Sequence, residues 1–142
     1  MATTFDTVYT AYHSAIDAIS GYTPNSKIND ETFSPRATAH KQFFLELTEG
    51  EPVDDGMGSG KIETRSLSFA AKVLYQYPAA NTYAANEAAT LSLINAVIKA
   101  LYAVTFTGYI QIEIGRFQLS PLSNGFKLCT LQFRAMFSWS II

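Results

Sequence analysis

The chain has 142 residues, 48% of them hydrophobic and only 15% charged, with a formal net charge of −2. That length suits one domain, residues 1–142, with its own core, and the charge balance excludes a broadly basic nucleic-acid-binding surface. The single cysteine, Cys129, excludes an internal disulfide and a cysteine-rich metal site.

An ordinary soluble domain carries roughly a quarter of its residues as charges, so so few here suggest a surface partly covered by other subunits. The start, Met1-Ala2-Thr3-Thr4-Phe5-Asp6, lacks the basic and apolar blocks of a secretory signal, and synthesis inside the cell is expected. Phe5, Val8, Tyr9, Tyr12, Ile16 and Ile19 form a helical stripe, with Thr3 or Thr4 placed to cap it and Gly21 to end it. From Tyr22 to His40 the period dissolves into turn-formers such as Thr23-Pro24-Asn25-Ser26 and Ser34-Pro35-Arg36, which predicts a long connection.

Phe43, Leu45 and Leu47 alternate with Phe44, Glu46 and Thr48, the pattern of a strand with one drier face. Between Glu49 and Gly60 come Glu51, Asp54 and Asp55 and then Gly56-Met57-Gly58-Ser59-Gly60, read as a long, mobile hairpin tip. Leu67, Phe69, Ala71, Val73, Tyr75 and Tyr77 then share one parity until Pro78 stops the strand. A central helix follows over Asn86 to Val104, with Leu91, Ile94, Ile98 and Leu101 on its apolar face. Its apolar run, Ala88 to Phe106, contains Asn95 and Lys99 near the middle; a central Lys costs about 2.5–3.5 kcal/mol on membrane-insertion scales, so no membrane span is expected.

Ile110, Ile112 and Ile114 alternate with Gln111 and Glu113, and Phe117 falls out of phase, which a bulge at Gly115 would explain. Pro121 and Asn124-Gly125 mark a hairpin turn. The last strand, Phe126 to Ile141, keeps Cys129, Leu131, Phe133, Ala135, Phe137, Trp139 and Ile141 on one parity. Unbroken, it would span about 50 Å at roughly 3.3 Å per residue, so it must bend, twist or reach beyond its own subunit. The order helix, strand, strand, helix, strand, strand predicts an α+β domain: a four-stranded, largely antiparallel sheet with two helices packed on one face. Leu91, Ile94, Ile98, Leu101, Phe69, Val73, Phe133 and Phe137 are expected to share its core.

No chemistry-bearing motif survives inspection. Gly56 to Lys61 has three residues where a phosphate loop needs four, and Ile62 stands where such a loop has Ser or Thr. His13 and His40 have no ligand-spaced partner, and no serine is framed as a nucleophile. No enzyme, metal or cofactor is expected. The acidic run, with Glu49, Glu51, Asp54 and Asp55 followed by Lys61 and Arg65, is the candidate interaction site, by steering a partner or lining a pore.

The leading helix, the strand pair with its long loop, the helix after Pro78 and the final long strand together resemble the tail terminator proteins of long-tailed bacteriophages. The likeness lies in element order over most of the chain and carries no residue motif. It implies a homo-oligomeric ring, typically hexameric, that caps the tail tube, ends its polymerisation and mediates head–tail joining. Implied partners are the tail-tube protein and the head–tail connector, with DNA passing through without specific binding. The implied place is the tail or neck of the virion, after synthesis in the host cytoplasm. The alternatives are another neck or tail-tube component, or a small α+β pocket protein that is an enzyme or binds a ligand.

Overall fold

A computed structural model describes residues 3–25, 40–53, 62–122 and 125–140. The elements are helix α1 (Phe5–Asp17), strands β1 (Thr23–Pro24), β2 (Gln42–Pro52) and β3 (Ile62–Gln76), helix α2 (Tyr83–Tyr102), and strands β4 (Tyr109–Pro121) and β5 (Phe126–Ser140). They form one five-stranded mixed sheet in the order β1-β2-β3-β5-β4.

This corrects the expected four-stranded, largely antiparallel sheet: the order is α-β-β-β-α-β-β, and β1 adds a parallel edge. It lies in the connection expected to be structureless. Thr23 and Pro24 pair with Gln42 and Phe43, and the Asn25 N–H donates to the Phe43 carbonyl at 2.8 Å. Pro24 is tolerated because it occupies an edge, where no second neighbour needs its missing N–H.

The centre of the sheet is the β3–β5 ladder, which runs from Ile62 opposite Ser140 to Gln76 opposite Phe126 without a register shift. One face of that ladder holds Leu67, Phe69, Ala71, Val73 and Tyr75 against Cys129, Leu131, Phe133, Ala135 and Phe137, all buried. Both helices lie on this face, since Val8, Tyr12 and Ile16 of α1 and Ile94, Val97 and Leu101 of α2 join the same cluster. Tyr12 sits 5.1 Å from the Phe133 ring and 5.9 Å from Phe69, whose ring stacks on Phe133 at 5.1 Å. Burial raises the Tyr12 hydroxyl pKa, with Tyr109 adding to it.

Two corrections concern the helices. Leu91 is 51% exposed, and the face of α2 turned to the sheet is Thr90, Ile94, Val97 and Leu101, with Ile98 half-buried beside it. The helix also starts a turn earlier than expected, where the Thr82 hydroxyl accepts from the Ala85 N–H at 3.2 Å and satisfies an otherwise unpaired donor. At α1, Thr4 occupies the cap position but its hydroxyl bonds to that of Thr7 at 2.9 Å. Thr3 instead donates its N–H to the Ser138 carbonyl at 2.9 Å, which ties the start of α1 to β5.

Further anchors hold the layers in place. The Tyr22 hydroxyl donates to the Leu93 carbonyl at 3.2 Å and lies 2.9 Å from the Tyr75 hydroxyl, joining the exit of α1 to β3 and α2. At the far end Trp139 stacks on Phe5 at 5.3 Å, and the Arg65 guanidinium, paired with Glu63, lies 5.0 Å from the same indole. Cys129 is buried, and desolvation pushes its thiol up to about 12, which makes it an inert core residue.

His40 fastens the entry to β2. Its Nδ1 accepts from the Gln76 N–H at 3.0 Å, and the adjoining Lys41 N–H donates to the Leu74 carbonyl at 2.7 Å.

Phe133→Ala should cost about 3–5 kcal/mol and Leu91→Ala less than about 1 kcal/mol, read from urea midpoints; equal losses would place Leu91 in the core after all. His40 must be neutral to accept at Nδ1, and desolvation first, then Lys41, hold its pKa below 6.5. Its contribution is therefore full above the unfolded value and is lost as pH falls through the lower folded value. His40→Asn, which keeps an acceptor that does not titrate, should flatten the fall in thermal midpoint below pH 6.5, and an unchanged slope would rule the latch out.

Candidate functional site: the open face of the sheet

The helices pack on one face of the sheet, and the side chains of the other, here called the open face, are set by the even positions of β3 and β5. Ser66, Ala70, Leu74 and Phe126 are buried on it, and Glu46, Glu49, Glu51 and Glu113 are exposed. Reading across the strands, Glu49, Ser68, Arg134 and Glu113 form one row, and Glu51, Ser66, Met136 and Gln111 form the next. Glu46, Ala70 and Gln132 make a third row on the other side. Neighbouring strands are about 4.8 Å apart, so Arg134 stands between carboxylates contributed by both outer strands.

Two of the predicted site residues are thus brought together, although the loop expected at Glu49 and Glu51 is strand. The pairing with β3 continues to Pro52 opposite Arg65 after a register shift between Leu47 and Glu49. The bulge at Thr48 turns the acids: without it Glu49 would keep the parity of Leu47 and face the helices. Leu47, expected on the drier face, is at the margin of the sheet and 54% exposed. Arg65 points to the opposite side, over Trp139, and does not join the acids. Asp54, Asp55 and Lys61, and the glycine loop read against a phosphate-binding motif, lie outside the described residues.

Sequence reasoning missed Glu113 and Arg134 as site residues. Each shows the correct alternation, but only the placement of β5 between β3 and β4 makes them neighbours. Gly115 was correctly associated with a bulge, since the register shifts between Ile114 and Phe117. A Cβ there would come 3.1 Å from the Gln132 carbonyl oxygen, so the close backbone approach favours glycine.

Among the described residues the face carries the carboxylates of Glu46, Glu49, Glu51 and Glu113 and the cations Lys72 and Arg134, with Arg116 in the β4 bulge opposite Gln132. Lys72 pairs with Glu46 at 3.1 Å, and Arg134 approaches Glu51 at 3.9 Å. The excess is negative. A shallow cleft of about 450 Å³ lies along the central row, lined by Thr48, Glu49, Ser68, Glu113, Gln132 and Arg134. Two buried polar atoms here, Arg134 Nε and Ser66 Oγ, have no hydrogen-bond partner among the described residues.

No histidine or cysteine joins the row, and among the described residues no group of three His, Cys, Asp or Glu side chains is arranged to hold a metal ion. His13 is stacked between Tyr9 and Phe43 on the helix side. A second shallow cleft, between α1 and α2, is lined mainly by Ala11, Ala15, Ala18, Ala100 and Ala103 and offers no charged group. No helix among the described residues is long and apolar enough to cross a membrane. Among the described residues the open face presents chiefly charged and amide side chains around its cleft.

Arg134→Met should change stability by less than about 1 kcal/mol, because a half-exposed ion pair contributes little and the methionine keeps most of the stem's packing. A loss above about 2 kcal/mol would make Arg134 a structural keystone.

No protein-family model matches the chain, and no curated protein matches it. Among solved structures it is similar to a chain of the virion of a native gene transfer agent particle, at 17% identity and a TM-score of 0.49, covering 92% of this chain and 91% of that chain.

Proposed function

We propose that this is a non-enzymatic structural virion protein of the tail terminator type, a ring of copies that caps the tail tube, ends its growth and joins tail to head. The observation that carries the reading is the outward side of α2. Ala84, Ala88, Leu91 and Tyr102 are exposed there beside Ser92, Asn95 and Lys99, and the whole helix has only Glu87 and Lys99 as charges. Exposed leucine and tyrosine on a helix with so few charges favour a cover. Among the described residues no layer covers this side, so a neighbouring subunit is the natural cover.

The open face supports the same reading from the other side. A surface with excess carboxylate repels the phosphate backbone, so DNA would pass such a wall without being held. In this reading the partners are further copies, the tail-tube protein and the head–tail connector. Another neck or tail-tube component would use the same surfaces. A pocket protein is the weaker alternative, because Tyr12, Phe69, Phe133 and Phe137 fill the core and both clefts are shallow surface features.

Light scattering and negative-stain images of the purified chain, alone and with tail tubes, test the proposal. Rings, free or formed on tube ends, are expected. A strict monomer at high concentration that also leaves tube ends uncapped would overturn it.

A further inference from the structure

Among the described residues the sheet has two long edges without a paired strand. On one side β1 covers only Gln42 and Phe43, so that among the described residues no strand pairs with the outer side of β2 from Glu46 to Pro52. On the other, β4 has β5 along its inner side and, among the described residues, nothing along its outer side. Exposed edges of this length invite another strand, and natural monomers blunt them with charges, lysine above all, with proline, with bulges or by shortness. Pro52 ends the bare stretch of β2 and Pro121 ends β4, but neither Glu46–Glu51 nor Tyr109–Ser120 contains a lysine or a proline.

The edges also match each other. β2 and β5 run one way and β3 and β4 the other. A second copy placed by rotation about an axis along the strands keeps those directions, so its β2 would meet β4 antiparallel. Leu47 opposes Phe69, and Phe117 opposes Leu131, so both lie on the helix side of the sheet. They are 54% and 38% exposed, and Ile110 on β4 is 48% exposed. Joining the edges would set Leu47 of one copy beside β4 of the next and carry the apolar layer across the joint. The bulges at Thr48 and near Gly115 bend both strands but leave Glu49–Pro52 and Gln111–Ile114 regular, at the same level of the sheet.

We propose that the outer edge of β4 in one copy pairs antiparallel with the outer edge of β2 in the next, a head-to-tail contact. This inference rests on the ring reading and names the surfaces that would build the ring. Such a contact uses two different patches on each copy, so it either closes into a ring or extends as a filament. Main-chain hydrogen bonds would supply the affinity and the apolar margin the register.

The test uses single charged substitutions at exposed positions, Leu47→Lys on β2 and Phe117→Lys on β4, with Ile110→Lys as a second β4 variant. Circular dichroism checks folding, and light scattering reads mass. Each variant alone is expected to fall from the assembled mass to a monomer. Mixing Leu47→Lys with Phe117→Lys should restore a dimer and nothing larger, because the intact β4 edge of the first meets the intact β2 edge of the second. Folded variants that all keep the wild-type mass would overturn the edge pairing while the ring reading stands. Leu47→Lys that alone forms a dimer would show β4 pairing with itself and would equally overturn it. A wild-type chain that is monomeric under all conditions, and uncapped tubes with it, would remove the ring reading and this contact together.

Discussion

The rest of the molecule depends on the β3–β5 ladder. Because side chains alternate between faces, one slipped residue would send Phe69, Val73, Phe133 and Phe137 to the open side and bring Lys72 and Arg134 under the helices. The ladder avoids this by being regular over its whole length. All the irregularity is in the outer strands: the register shifts in β2 at Thr48 and in β4 beside Ile110 and Gly115. A bulge bends its own strand and adds twist, so the outer strands can curve around a straight-registered centre. Gly50, whose Cβ would lie 2.9 Å from a Leu67 methyl, belongs to the same accommodation.

The strand order follows from composition once the ladder is seen. β5 carries apolar residues at nearly every inward position, and its opposite face still contributes Leu128 and the buried Phe126 to a small cluster with Leu74 and Leu122. β4 carries Gln111, Glu113, Arg116 and Gln118 and has Ile112 as its buried hydrophobic residue. A strand buried on both sides suits the centre, and a polar one suits the edge. The chain therefore leaves β3, passes through α2, and lays down β4 beyond the place that β5 later fills. The connection joins two strands of the same direction with an antiparallel strand between them.

Much of this was legible in residue parity, and the failures have physical causes. The long strands were readable because one face is dry and the other polar over many repeats. The face of α2 was misread by a fraction of a turn: Leu91 and Ile98 look better than Thr90 and Val97, but an Ala-rich helix with two charges gives the 3.6 period little contrast. β1 was invisible because two residues, one of them proline, have no period. Glu49 and Glu51 read as loop because Gly50 and Pro52 are poor strand formers, and pairing with β3 outweighed that preference. The row that unites Glu49 with Arg134 and Glu113 depends on strand order, which local pattern does not encode.

Charge divides the molecule more sharply than its low average suggests. Glu46, Glu49, Glu51, Lys72, Glu113 and Arg134 all stand on the open face, while the outward side of α2 offers alanine, leucine and tyrosine beside Ser92 and Asn95, with Lys99 as its exposed charge. The two surfaces face different tasks. Exposed carboxylates on the outer strands keep that side hydrated and discourage stacking against another flat sheet, since desolvating charge is costly. The bare helix side has no such protection and loses free energy for as long as water covers it. The charged side chains thus concentrate where the outer strands of the sheet meet water, and the helix side keeps its larger apolar groups among few charges.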